Sequence, residues 1–179
     1  MIFRSAFASP LAVAATLLLA ALPASAATLT GRVIVVHDGD TITLLDATRA
    51  QHRIRLAGID APGIKQAFGS TSKQNLYDLI YNKQVKVEWE KRDRQKRILG
   101  KVMFVPAVCV AAACLNGSDA GREQIASGYA WHYKQYAQDQ SSGDRESYAA
   151  AEKQAREGKR GLWADPDPVP PWEFGRPRK

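Results

Sequence analysis

The residues best equipped for chemistry lie in two short stretches, His37-Asp38-Gly39-Asp40-Thr41 and Arg55-Leu56-Ala57-Gly58-Ile59-Asp60-Ala61-Pro62. Each places carboxylates at the end of an apolar, strand-like run. The second also carries an arginine shortly before its aspartate. Two aspartates from two strand ends can hold one hard divalent cation, because such ions take oxygen ligands. An arginine beside them can grip a phosphate, because a guanidinium forks onto two of its oxygens. This is equipment for metal-dependent attack on a phosphodiester. Taken alone, Asp-Gly-Asp is also the composition of a β-turn that hydrogen-bonds its own backbone. The metal reading therefore depends on Asp60 and Arg55 standing in register with it.

The elements that must hold these residues follow from pattern. Residues 29–36 and 41–45 are β-branched and read as strands, with Asp38-Gly39 as the turn between them. His52-Arg53-Ile54-Arg55-Leu56 alternates as a third strand and Pro62-Gly63 stops it. Gln66 to Tyr81 reads as a helix with Phe68, Leu76, Leu79 and Ile80 on one face and Ser70, Thr71 or Ser72 as caps. Residues 85–90 alternate as a fourth strand with Val85, Val87 and Trp89 inward. Lys91 to Arg97 is a charged loop, and Ile98 to Val105 a fifth strand. An Ala/Val-rich stretch with Cys109 and Cys114 follows as an edge hairpin. Residues 119–127 form a short helix ending at Gly128. Residues 144–157 form a longer one, with Asp144 as N-cap and Gly158 as stop. Leu162 and Trp163 pack back on the core, and an irregular proline-rich tail begins at Pro166. Five strands with a helix inserted after the third predict an α+β domain, a small Greek-key barrel of the OB type with about three helices.

The ends and the composition set the compartment. Arg4, the apolar run from Leu11 to Ala20 and Ala24-Ser25-Ala26 have the pattern of an export signal cleaved after Ala26. The run is shorter than the roughly 20 apolar residues of a spanning helix, and no cysteine follows it closely for lipid attachment. This predicts a periplasmic or secreted protein divided into a leader (1–26), one domain (27–165) and a tail (166–179). The leader holds one of the 25 basic residues and none of the 18 acidic ones, so the mature chain carries +6. A basic exported domain attracts polyanions, although charge alone does not choose among nucleic acid, lipopolysaccharide and anionic lipid. Cys109 and Cys114 can pair in an oxidising compartment, for a gain of about 2 kcal/mol in the chain-entropy model. Their spacing is not that of a redox motif, and two thiols are too few for a structural zinc site.

The order of these pieces resembles the staphylococcal nuclease (thermonuclease) family. The matching residues are Asp38-Gly39-Asp40-Thr41, the Arg55 to Pro62 stretch, Asp93 through Arg97, Leu115-Asn116-Gly117 leading into Arg122-Glu123-Gln124-Ile125 with Gly128-Tyr129-Ala130-Trp131, and Gly161-Leu162-Trp163. Together they span about residues 29–165. The resemblance implies an OB-type barrel with three helices that hydrolyses DNA and RNA with calcium. It implies that Asp40 and Asp60 bind Ca2+ with the backbone carbonyl of Ala61, while Asp38 reaches the ion through water. It further implies that Arg55 and Arg97 are the catalytic arginines. The plain alternative for Arg97 is a solvated loop charge beside Arg92, Arg94 and Lys96.

One part of the family pattern is absent. Three residues after the second metal aspartate the family has a glutamate that acts as general base, and here stands Gly63. Residues 61–75 contain no Asp or Glu to replace it. General bases contribute on the order of 10² to 10⁴ in rate. Gln95-Lys96 also replaces the family's usual Tyr-Gly, which removes a base-stacking aromatic. Tyr129, Trp131, Tyr133 and Tyr136 offer other faces for bases, and Tyr133 and Lys134 are the expected nucleic-acid contacts. The readings in play are a calcium-dependent nuclease, an OB module that binds nucleic acid without turnover, and an envelope polyanion scavenger. A monomer is the default.

Overall fold

The computed structural model describes residues 27–106 and 117–175. The leader, both cysteines and the last four residues lie outside the described residues. The chain order is β1 (Ala27–Val36), β2 (Thr41–Leu45), β3 (Gln51–Leu56), β4 (Ile59–Asp60), α1 (Gly69–Ile80), β5 (Gln84–Arg92), β6 (Ile98–Phe104), β7 (Ser118–Asp119), α2 (Ala120–Ala126), β8 (Trp131–His132) and α3 (Ser142–Glu157). Short 3₁₀ turns at Lys134–Asp139 and Gly161–Ala164 flank α3.

Five strands close a barrel. β1 pairs with β2, β2 with β3, β5 with β1 and β6 with β5, all antiparallel, and β3 closes on β6 in parallel. Irregularities between Val33 and Val35 and between Trp89 and Lys91 interrupt two of the ladders. Such bulges bend strands and help a small sheet turn back on itself. Inward residues alternate along each strand, and Val33, Ile42, Leu44, Ile54, Val87, Ile98 and Val102 fill the barrel. Leu76 and Ile80 of α1 and Ile125 of α2 extend the same core.

The α+β class and OB-type barrel agree with the sequence expectation, and two helix starts differ from it. The first helix begins at Gly69 rather than Gln66, and no serine or threonine side chain caps it. Phe68 precedes it with φ 64°, and residues 63–69 fold as consecutive turns, Gln66 N–H to Gly63 O and Gly69 N–H to Gln66 O. Helix α3 begins at Ser142, and its cap is Ser141, whose side chain accepts the Asp144 N–H at 3.1 Å. Asp144 sits inside the first turn, and its carboxylate accepts from Lys101 Nζ at 2.5 Å. Both elements were legible as helices, but the start of α1 is set by the turns of residues 63–69 and that of α3 by the Ser141 cap.

Candidate active site

The Asp38-Gly39-Asp40 turn joins β1 to β2, and its conformation is imposed from three sides. The Asp38 carboxylate accepts the Asp40 N–H at 3.0 Å, which is the turn chemistry expected of this sequence. The buried Gln124 of α2 donates to the Gly39 carbonyl at 2.7 Å and to the Ser72 carbonyl at 3.1 Å. Ser72 of α1 lies so close that a Cβ at position 39 would meet its Oγ at 1.8 Å, so only glycine fits there. The turn is thus wedged between α1 and α2, which fixes where Asp40 points.

Asp40 is almost fully buried. Its Oδ1 accepts the Thr41 hydroxyl at 2.8 Å, and its Oδ2 accepts the Ala61 N–H at 3.2 Å. Thr41 stands directly opposite Arg55 in the β2–β3 register. From there the Arg55 guanidinium reaches both acids, Nη1 lying 3.2 Å from Asp40 Oδ2 and Nη2 2.6 Å from Asp60 Oδ1. Asp60 comes from β4, a two-residue strand tied to β8 through the Asp60–Trp131 register pair. The structure therefore brings Asp40, Asp60, Ala61 and Arg55 into one corner, with Asp38 directly behind it.

The electrostatics follow from this crowding. Burial pushes the Asp40 carboxyl up to about 7 against the pull of Arg55, with Asp38 adding to the rise. Burial also raises Asp60, again opposed by Arg55. Burial works against the charge on Arg55, but Asp40 and Asp60 outweigh it and hold its pKa above the ordinary value. Two acids that share one guanidinium form an environment that a cation would relieve.

Arg97 arrives from the β5–β6 loop. Asp93 folds that loop around itself, accepting the N–H groups of Gln95 and Arg97 at 2.9 Å each and Arg97 Nε at 2.6 Å. Burial disfavours the charge on Asp93, but the Arg97 hydrogen bonds prevail and lower its pKa. Arg97 Nη1 contacts the Thr41 hydroxyl at 3.3 Å. Arg97 is therefore aimed at the Asp40 corner and is not a solvated loop charge. Asp93 and Thr41 are positioning residues that sequence reasoning did not assign. Their signal was present as an aspartate four residues before Arg97 and a threonine directly after Asp40.

Arg55 and Arg97 line a cleft of about 540 Å³ together with Lys91, Arg92, Tyr133 and Tyr136. Tyr133, an expected nucleic-acid contact, lines this cleft with the arginines. Lys134 does not line this cleft. It pairs with the buried Glu152 at 2.7 Å and lines a separate cavity. Gly63 lies two residues beyond Ala61, with no atom within 4 Å of the place where a Cβ would sit.

A family model described as staphylococcal nuclease homologue matches residues 53–165. The chain belongs to the staphylococcal nuclease family. It is 40% identical over 150 residues to an uncharacterized endonuclease of Escherichia coli, covering 84% of this chain and 87% of that one. It is 36% identical over 176 residues to a micrococcal nuclease of Shigella flexneri, covering 98% and 97%. A third relative, protein ParB of Escherichia coli, is 32% identical over 173 residues, covering 97% and 94%. Family membership makes the corner formed by Asp40, Asp60, Arg55 and Arg97 the candidate catalytic centre.

The donor set there fits a calcium ion. Asp40 and Asp60 supply hard oxygens from separate segments within reach of one guanidinium, and the Ala61 carbonyl is adjacent in sequence to Asp60. Among the described residues no group of three or more His, Cys, Asp or Glu side chains could hold a metal. Two carboxylates, a carbonyl and waters remain a sufficient set for calcium, which tolerates irregular oxygen coordination.

Proposed function

We propose that this protein is an exported, calcium-dependent nuclease that hydrolyses phosphodiester bonds of DNA and RNA. The observation that carries the reading is Arg55 spanning Asp40 and Asp60 while Arg97 reaches Thr41 beside them, with both arginines lining one basic cleft. Asp40, Asp60 and the Ala61 carbonyl would hold Ca2+, and Asp38 would assist through water. A bound calcium ion would supply Lewis-acid polarisation of the scissile phosphate. Arg55 and Arg97 bind the phosphate oxygens through paired N–H donors and stay charged at any working pH. They are placed to stabilise the negative charge that develops as the phosphorus–oxygen bond breaks. Tyr133 and Tyr136 flank the cleft for the bases. The leader predicts a periplasmic or secreted location, and the protein acts as a monomer.

Gly63 supports a second reading. A glycine accepts no proton from the attacking water, so a module that binds nucleic acid without turning it over remains a specific alternative. Plasmid nicking with calcium and with chelator, run beside a gel shift at low salt, separates the two. Nicking that requires calcium supports the nuclease, whereas a shifted band without any nicking supports the binding module.

A further inference from the structure

The rings of the cleft do not stop at its edge. Tyr136 and Tyr133 lie with centroids 5.4 Å apart and planes tilted by 51°. Tyr133 and Trp172 repeat the spacing at 5.4 Å with a tilt of 37°. Trp172 belongs to the proline-rich tail, far along the chain from either tyrosine. The tail is tied down by Gln66, whose Nε2 donates to the Val169 carbonyl at 2.5 Å, and by a turn in which Pro170 O accepts the Glu173 N–H at 3.0 Å. The Trp131 ring then meets Trp172 edge-on at 6.3 Å. Three rings from two distant segments thus form one ledge.

Tyr133 lines two cavities, the basic cleft and a second space of about 540 Å³ walled by Trp131, Trp163 and Trp172. The two differ in charge. Lys91, Arg92, Arg94, Arg55 and Arg97 face the first against Asp93 and Asp139. In the second, Lys134 and Arg156 are answered by Glu152 and Glu173, and the Arg156 guanidinium lies 4.0 Å from the Trp163 ring centre. The first cavity therefore suits a phosphate, and the second offers ring faces with little net field. A nucleobase is a group that can continue from a phosphate into a neutral aromatic space.

We propose that Trp172, presented by the C-terminal tail, forms with Tyr133 a second stacking subsite. It takes an unstacked base of a single-stranded nucleic acid, at least one nucleotide beyond the two that flank the phosphate lying between Arg55 and Arg97. This rests on the nuclease reading and adds a substrate form to it. A duplex keeps its bases stacked on one another and has none to place on the ledge. Base–aromatic stacking is sequence-tolerant because every base has a π-face, so the subsite selects strandedness and length rather than sequence.

The test uses the full mature chain and its Trp172→Ala and Trp172→Phe variants, with the fold of each checked by its Tm. Hydrolysis is followed on thymidine dinucleotide and on an oligothymidylate of about twelve residues, within the span an OB fold covers. Trp172→Ala raises KM for the long strand about tenfold. It leaves its kcat and the constants for the dinucleotide within about twofold, and Trp172→Phe stays near wild type. An unchanged KM for the long strand overturns the subsite. So does an equal loss on both substrates, which would make Trp172 merely a prop for Tyr133. If the wild-type protein cleaves neither substrate, affinity for the long strand is compared in chelator. A loss of binding in Trp172→Ala then upholds the ledge while the nuclease reading fails, and equal binding overturns both.

Discussion

Two buried aspartates on this barrel invite comparison. Burial raises the pKa of both Asp40 and Asp119, yet their surroundings assign them different work. Asp119 caps α2, accepting the N–H groups of Gly121 at 2.9 Å and Arg122 at 3.3 Å. It also accepts the buried Tyr148 hydroxyl at 2.6 Å, with Lys101 3.9 Å away. These partners come from strand and helix elements, and they join β6, α2 and α3 into one block. Asp40 also has partners, but one of them is a guanidinium shared with a second carboxylate at the wall of an open cleft. A raised acid is thus no mark of a functional site by itself. Lys101 is likewise shared, between Asp119 and Asp144, so the mark is that the shared cation at Asp40 is a guanidinium lining a cleft beside a second arginine, Arg97.

Substitutions can break this contrast. The largest effect belongs to Arg97→Ala, which lowers the rate of phosphodiester hydrolysis by about 10² to 10³. The Tm stays nearly unchanged, because Asp93 keeps its backbone partners at positions 95 and 97. Steady-state hydrolysis together with a thermal melt reads both. Asp119→Ala has the opposite signature. It removes a helix cap and strands the Tyr148 hydroxyl, so denaturant unfolding shows a loss of about 3 kcal/mol, while kcat of the folded protein is retained. An equal loss of rate in both variants would erase the distinction. A smaller effect sharpens the picture of the Arg97 loop. Lys96 holds φ 64° where the family commonly has glycine, so Lys96→Gly stabilises the protein by about 1 kcal/mol in the same unfolding experiment.

Much of the candidate centre was legible because its residues are local to turns. Asp38, Asp40, Arg55 and Asp60 sit at strand ends that alternation and β-branching locate within a few residues, and the barrel follows from the order of those strands. What was not legible depends on local backbone conformation and on long-range packing. The start of α1 is moved to Gly69 by the left-handed Phe68, and the cap of α3 passes to Ser141 because Asp144 is drawn to Lys101. Lys134 was expected at nucleic acid, but a lysine next to a tyrosine says nothing of the buried Glu152 that pairs with it from α3. Trp172 could not be placed at all from a proline-rich tail. Its contact with Tyr133 exists only once Gln66 and the tail have met.

The central claim is that these acids and arginines form a catalytic corner that is complete except for its base. Position 63 has ordinary backbone and open space, so a side chain there meets no obstruction. The direct measurement is the calcium-dependent nicking rate of Gly63→Glu beside wild type. The account predicts a gain of at least about tenfold, within the 10² to 10⁴ that a positioned base supplies. A correctly folded variant with no gain would contradict it.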